Sequence, residues 1–135
     1  MFTLEQSRTA PKELIQFAKE EMQDLLMNVR GVNYVMLCST DGFELGHVHK
    51  KDSYNSTKLA AVSSSILAMV AAFMNEIHLE GCQSITLDAE NGKAILTSIP
   101  SSKHPLIIVT LTEKDVLLGQ LLYSLKTASS RISNF

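Results

Sequence analysis

Little in this chain concentrates charge. Lys and Arg never gather into a run and the formal net charge is −2, so the electrostatic footprint of a nucleic-acid binder is missing. Phosphate-binding glycine patterns are missing too. Gly42 and Gly46 are not followed by Gly-Lys-Ser/Thr and no GxGxxG occurs, which argues against a nucleotide hydrolase. No serine sits at a strand–turn–helix elbow, and Ser63, Ser64 and Ser65 read instead as small residues at a close helix contact. The two cysteines, Cys38 and Cys82, fall in apolar strand-like segments outside any metal or redox spacing. They read as buried free thiols of a reducing compartment. Met1–Glu5 lacks the basic start and apolar run of a secretory signal, so the expected location is cytoplasmic.

Two polar clusters invite a metal and neither is completed by its neighbours in sequence. Asp88, Glu90 and Asn91 crowd one segment, but a calcium-loop register would put Lys93 at the required glycine and Ile99 at the bidentate acid. Turn chemistry explains that segment better. His47 and His49 alternate onto one side of a strand, and nothing close in sequence supplies a further ligand. The expectation is no catalytic residue, no cofactor and no metal.

What the chain does have is an apolar helix. Across Leu59–Met74, the residues Leu59, Val62, Ile66, Val70, Phe73 and Ile77 recur at helical spacing as one apolar stripe. Beyond Ile66 the remaining positions, Leu67, Ala68, Met69, Ala71, Ala72 and Met74, are apolar as well, where a surface helix would be polar. One face can pack on a sheet, and the second needs another cover. The simplest is the same helix from a second copy, since two-fold dimers are the commonest soluble assemblies. A membrane span is disfavoured because the apolar run falls short of ~20 residues and the three serines interrupt it. A fully buried central helix of a monomer is hard to surround in a chain this short.

The rest of the chain is ordered around that helix. Residues 1–10 read as a loose arm and 133–135 as a tail, with one domain over 11–132. Pro11 opens a helix whose apolar positions are Leu14, Ala18, Met22, Leu25, Leu26 and Val29, and Gly31 stops it. Val32–Thr40 reads as a strand, Asp41-Gly42 as a hairpin turn, and Phe43–His49 as the returning strand with Phe43, Leu45, His47 and His49 on one side. Ser56 or Thr57 is expected to cap the long helix, and Gly81 to end it. Cys82–Leu87 is half polar, as an edge strand would be, and Lys93–Ile99 returns after a turn. Leu106–Leu111 is the most continuous apolar run and should lie mid-sheet. A last helix is expected to start at Thr112 and carries Val116, Leu117, Gln120, Leu121, Ser124, Leu125 and Ala128. The order α-β-β-α-β-β-β-α suits an α+β sandwich, an antiparallel sheet with helices on both faces.

Gly31-Val32 before a strand, Asp41-Gly42-Phe43-Glu44-Leu45 at the hairpin, and the long Ala/Ser-rich helix followed by three strands and a helix together resemble the Roadblock/dynein light-chain family. The likeness spans roughly Leu14 to Ser129. It implies a single five-stranded antiparallel sheet, with the long helix on one face and the two terminal helices on the other. It also implies a homodimer formed by edge-to-edge pairing of the third strand, Cys82–Leu87, with the long helices (Thr57–Leu79) side by side. The interface would then use Leu67, Ala71, Met74, Cys82, Ser84, Ile85 and Thr86. Bacterial relatives are thought to regulate small Ras-like GTPases, which would dock through Tyr54, Lys58, Ser65, Met69 and Glu76 here. The alternative is a structural adaptor dimer that holds peptide segments whatever the nucleotide. A small-molecule sensor or enzyme would need a pocket of convergent acids. No residue has the look of an arginine finger on that docking face. Neither nucleic acid nor membrane insertion is expected.

Overall fold

Strands that are apolar on both faces must be covered twice, and the two that fit this description occupy the interior of the sheet. The computed structural model describes residues 10–101 and 103–135. Its elements are α1 (Lys12–Asn28), β1 (Val32–Ser39), β2 (Glu44–His49), α2 (Ser56–Glu76), β3 (Ser84–Ala89), β4 (Gly92–Ile99), β5 (Leu106–Glu113) and α3 (Leu118–Ser133). One five-stranded sheet runs in the order β2-β1-β5-β4-β3, antiparallel throughout. β5, with its continuous apolar run, is central, and the half-polar β3 is an edge.

Strand alternation sends the side chains of each interior strand to two different cores. On one face Val35, Leu37, Ile95 and Ile108 pack under α1 and α3, which contribute Ala18, Met22, Leu25, Leu26, Leu121 and Leu125. On the other, Tyr34, Met36, Cys38, Leu96, Ile107 and Val109 lie under α2, which contributes Leu59, Ala60, Ile66 and Leu67. The expected division of helices between the two faces is therefore observed.

Several boundaries move from their sequence positions, each for a local reason. β3 starts at Ser84 rather than Cys82 and runs on to Ala89, because Ala89 pairs with Gly92 and leaves only Glu90-Asn91 in the hairpin loop. Gly92 is required there, since a Cβ would sit 2.7 Å from the Thr112 carbonyl oxygen. Thr112 does not cap a helix: it is still paired in β5, opposite Lys93, and α3 begins at Leu118. Leu117 is left 66% exposed. α3 also continues past Ser129, because Ile132 lands on the buried stripe of Leu125 and Ala128. The expected tail is docked: Phe135 stacks on Phe17 with ring centroids 4.9 Å apart. The expected arm lies outside the described residues except for Ala10, which is buried against the α1/α3 core.

At the start of α2 the cap is Asn55, whose Oδ1 accepts from the Lys58 amide at 3.0 Å, and neither Ser56 nor Thr57. At its end the helix stops at Glu76, five residues before Gly81, with His78 in the left-handed region at φ 61°. Leu45 also departs from the expected alternation. A bulge opposite Leu37/Cys38 turns it to the α1 side, while His47 and His49 stay on the α2 side against Tyr34.

The 21-residue α2 is longer than the apolar run suggested, and by length and composition it would reach across a bilayer. Lifting it from the sheet would bare Met36, Leu96, Ile107 and Val109, each worth about 1.5–3 kcal/mol of burial. Packing on the sheet satisfies one side of α2. The helix is not fully buried within this chain either, since only Ala60 and Ser63 of α2 are buried.

Candidate functional site

A helix apolar on all sides has no marked phase, and only the sheet decides which side turns in. The inward side of α2 is Leu59, Ala60, Ser63, Ile66, Leu67, Val70 and Met74, all buried or half-buried. Val62 and Phe73, placed by spacing on the same stripe as Leu59 and Ile66, instead face out, at 48% and 64% exposed. At 100° per residue they lie within about 40° of Met69, which is 66% exposed. The result is an uncovered apolar ridge along a helix whose opposite side is already packed.

Close packing at one point sets the position of this helix. Gly42 has φ 96°, a conformation that strains any other residue, and the β1–β2 turn it forms lies against α2, 3.4 Å from the Ala61 Cα to where a Cβ would be. Beside it the Ser64 hydroxyl donates to the Thr40 carbonyl, and the Ser65 hydroxyl donates to the Ala61 carbonyl. Two of the three adjacent serines thus donate to backbone carbonyls, and the third, Ser63, is buried. None is paired with a base.

Of the residues proposed for docking, Lys58, Ser65, Met69 and Glu76 are exposed and recur at intervals of seven, four and seven along one side of α2. Tyr54 stands just before that helix, 39% exposed, its ring edge-on to Tyr34 at 5.0 Å. Of the helix residues proposed for a dimer contact, Ala71 is exposed, while Leu67 and Met74 are half-buried. Leu67 packs against its own sheet. On the strand, Ser84 and Thr86 are exposed, Ile85 is half-buried beneath α2, and Cys82 lies in the preceding loop. Phe73 and Val62 were missed, although they belong to the exposed ridge.

The two sheet edges are unequal. β2 is interrupted by its bulge, and Lys19 of α1 lies against Gly46, within 3.1 Å of where a Cβ would be. β3 pairs with β4 in unbroken register over six residues, so its outer edge offers a regular row of backbone groups. Leu87 on that strand is 47% exposed. α2 makes its nearest approaches to β1 and β2, which leaves the β3 side of the same face less covered.

A groove of about 430 Å³ between α3 and the β3–β4 strands is lined by one charged residue, Lys126, so it offers no acid–base pair. Burial pushes the Cys38 thiol up to about 12, with Glu44 adding to the effect. Burial likewise raises the Tyr34 phenol, partly opposed by the nearby Ser56 side chain. Arg131 is bound to Glu21 at 3.4 Å on the α1/α3 side, far from the exposed ridge of α2.

This arrangement defines a small α+β domain with an exposed helix ridge and, among the described residues, an open strand edge. The Roadblock/LC7 domain family matches residues 18–118, and the chain belongs to that family. Among solved structures it resembles MglB of Myxococcus xanthus, with a TM-score of 0.81 at 13% identity over 93% of this chain and 92% of that one. It also resembles the gliding protein MglB of Thermus thermophilus, with a TM-score of 0.79 at 19% identity over 95% and 96%. An MglB structure described as having a tetrameric arrangement gives 0.81 at 19% identity over 95% and 96%. At these identities the likeness is one of fold. A search of curated proteins by sequence found no match.

Proposed function

We propose that this chain is a non-enzymatic regulator that works as a homodimer and docks a small Ras-like GTPase in the cytoplasm. The observation that carries the reading is the outer ridge of α2, where Met69 and Phe73 are both about two-thirds exposed on a helix already packed on its other side. An exposed apolar ridge, together with a regular open strand edge on the same domain, is the kind of surface that association covers. In this reading β3 pairs with β3 of a second copy through Ser84, Ile85 and Thr86, and the two α2 helices lie together through Ala71 and its neighbours. One of the similar MglB structures has a tetrameric arrangement. The GTPase as partner follows from the family resemblance. The proposed docking stripe of Lys58, Ser65, Met69 and Glu76 contains no arginine, so any effect on hydrolysis acts through the partner's own residues.

The deciding experiment is a pull-down from native extract with GDP and with a non-hydrolysable GTP analogue. Capture of a small GTPase that changes with nucleotide supports the regulator. A second reading, a structural adaptor, is favoured by the unbulged β3 edge, which could accept an extended peptide as a sixth strand. Capture of the same peptide partner regardless of nucleotide would establish that reading instead.

A further inference from the structure

His47 and His49 looked incomplete in sequence, and the chain after β2 completes them. The Lys50 and Lys51 amides both donate to the Asn33 carbonyl, at 2.8 and 3.3 Å, and the Lys51 ammonium binds Glu113 at 3.0 Å. These bonds pin the loop to the sheet and turn Asp52 back towards the strand. One ligand atom from each of His47, His49 and Asp52 then lies within 4.8 Å of the other two. His49 Nε2 and Asp52 Oδ2 are 3.5 Å apart.

The two imidazoles are held before any ligand arrives. Their rings stack on one another, with centroids 5.3 Å apart, and both lie against the fully buried Tyr34 ring at 5.4 and 6.4 Å. Glu44 provides a second, independent observation. Its carboxylate is 3.2 Å from His47 Nδ1 on the same edge strand. A carboxylate there accepts a hydrogen bond from the Nδ1–H tautomer, whose lone pair is on Nε2, the arrangement that orients metal-ligating histidines in known sites. Ring packing alone would require neither this carboxylate nor the return of Asp52.

We propose that His47, His49 and Asp52 bind one divalent first-row metal ion, zinc by ligand class, with Glu44 as the positioning residue for His47. Two neutral imidazoles and one carboxylate are the donors such ions take, and three protein ligands leave a fourth position for water. The ion would clamp the loop that leads into α2, the loop that also carries Tyr54. Metal binding itself does not depend on the identity of any partner.

The test is calorimetric titration of the full chain with zinc alone, in a non-chelating buffer. One ion per chain with micromolar or tighter affinity is expected. His49→Gln and Asp52→Asn should each weaken binding about tenfold or more, and Glu44→Gln by a comparable factor. His78→Gln, remote from the cluster, should change nothing. The absence of binding to the unaltered chain, or affinity indifferent to His49→Gln and Asp52→Asn, overturns the site. His49 and Asp52 are exposed, so these variants should fold, and far-ultraviolet circular dichroism verifies it. The visible spectrum of the cobalt-loaded unaltered chain decides independently. Nitrogen–oxygen ligation without a thiolate charge-transfer band supports the site, and such a band, which would mean that a cysteine is a ligand, overturns it.

Discussion

Lys51 and Glu113 are 62 residues apart, yet the ammonium and carboxylate meet at 3.0 Å, with the Asn33 side-chain amide donating to the same oxygen at 3.1 Å. This joins the loop before α2 to the end of the central strand. The same loop carries Asp52 and Tyr54, so its position matters at both proposed surfaces.

The hydrogen bonds from Lys51 and Asn33 hold the Glu113 carboxyl below the usual carboxylate range. A depressed carboxylate stabilises the folded state above its unfolded value and loses that contribution as pH falls through its folded value. The loop contact should therefore be intact at neutral pH and released in acid. Carboxyl NMR titration will show this, and Lys51→Met should move the Glu113 midpoint upward. An unchanged midpoint would mean that the pair does not persist in solution.

Met69 is mostly exposed, so Met69→Glu should alter folding stability by no more than about 0.5 kcal/mol. It should nevertheless lower the oligomeric mass or abolish partner capture, by placing a charge on the apolar ridge. Sedimentation and pull-down on the same sample separate these effects. Unchanged mass together with unchanged capture would remove α2 from both roles.

The two thiols should differ sharply. Cys38 is buried beneath α2 with its titration pushed up to about 12, whereas Cys82 is half-buried in the loop before β3. A disulfide reagent at mild alkaline pH should count one thiol in the native chain and two after denaturation, because only the thiolate reacts. Rapid reaction of both in the native state would show that the α2 face opens readily.

His78 takes a left-handed conformation just after α2, where the Leu79 amide reaches back to the Met74 carbonyl at 2.9 Å. Glycine adopts this conformation without steric cost. His78→Gly should raise stability by about 0.5–1 kcal/mol, seen as a higher urea midpoint with an unchanged slope, whereas His78→Val should lower it. A lower midpoint for the glycine variant would show that the His78 side chain contributes more than the strain it bears.

The order of elements was legible because it rests on local signals. Apolar spacing marked α1, the continuous run Leu106–Leu111 marked the centre of the sheet, and the mixed residues around Ile85 marked an edge. Boundaries were less legible where neighbours in space supplied the pairing. Thr112 resembled a cap until β4 engaged it, and Ala89 resembled turn until Gly92 paired with it.

The candidate sites divide along the same line. Sequence alone established that α2 has more apolar surface than one sheet can cover. It could not establish the phase, because a helix apolar on every side carries no periodic signal to choose between Val62 and Leu67. Contact with Tyr34, Met36 and Leu96 made that choice, burying Ala60 and leaving Met69 and Phe73 outside. In the same way, alternation along β2 brought His47 and His49 to one side. Asp52 follows His49 by three residues, and its place beside both histidines is held by a loop bonded to Asn33 and Glu113 on strands distant in sequence.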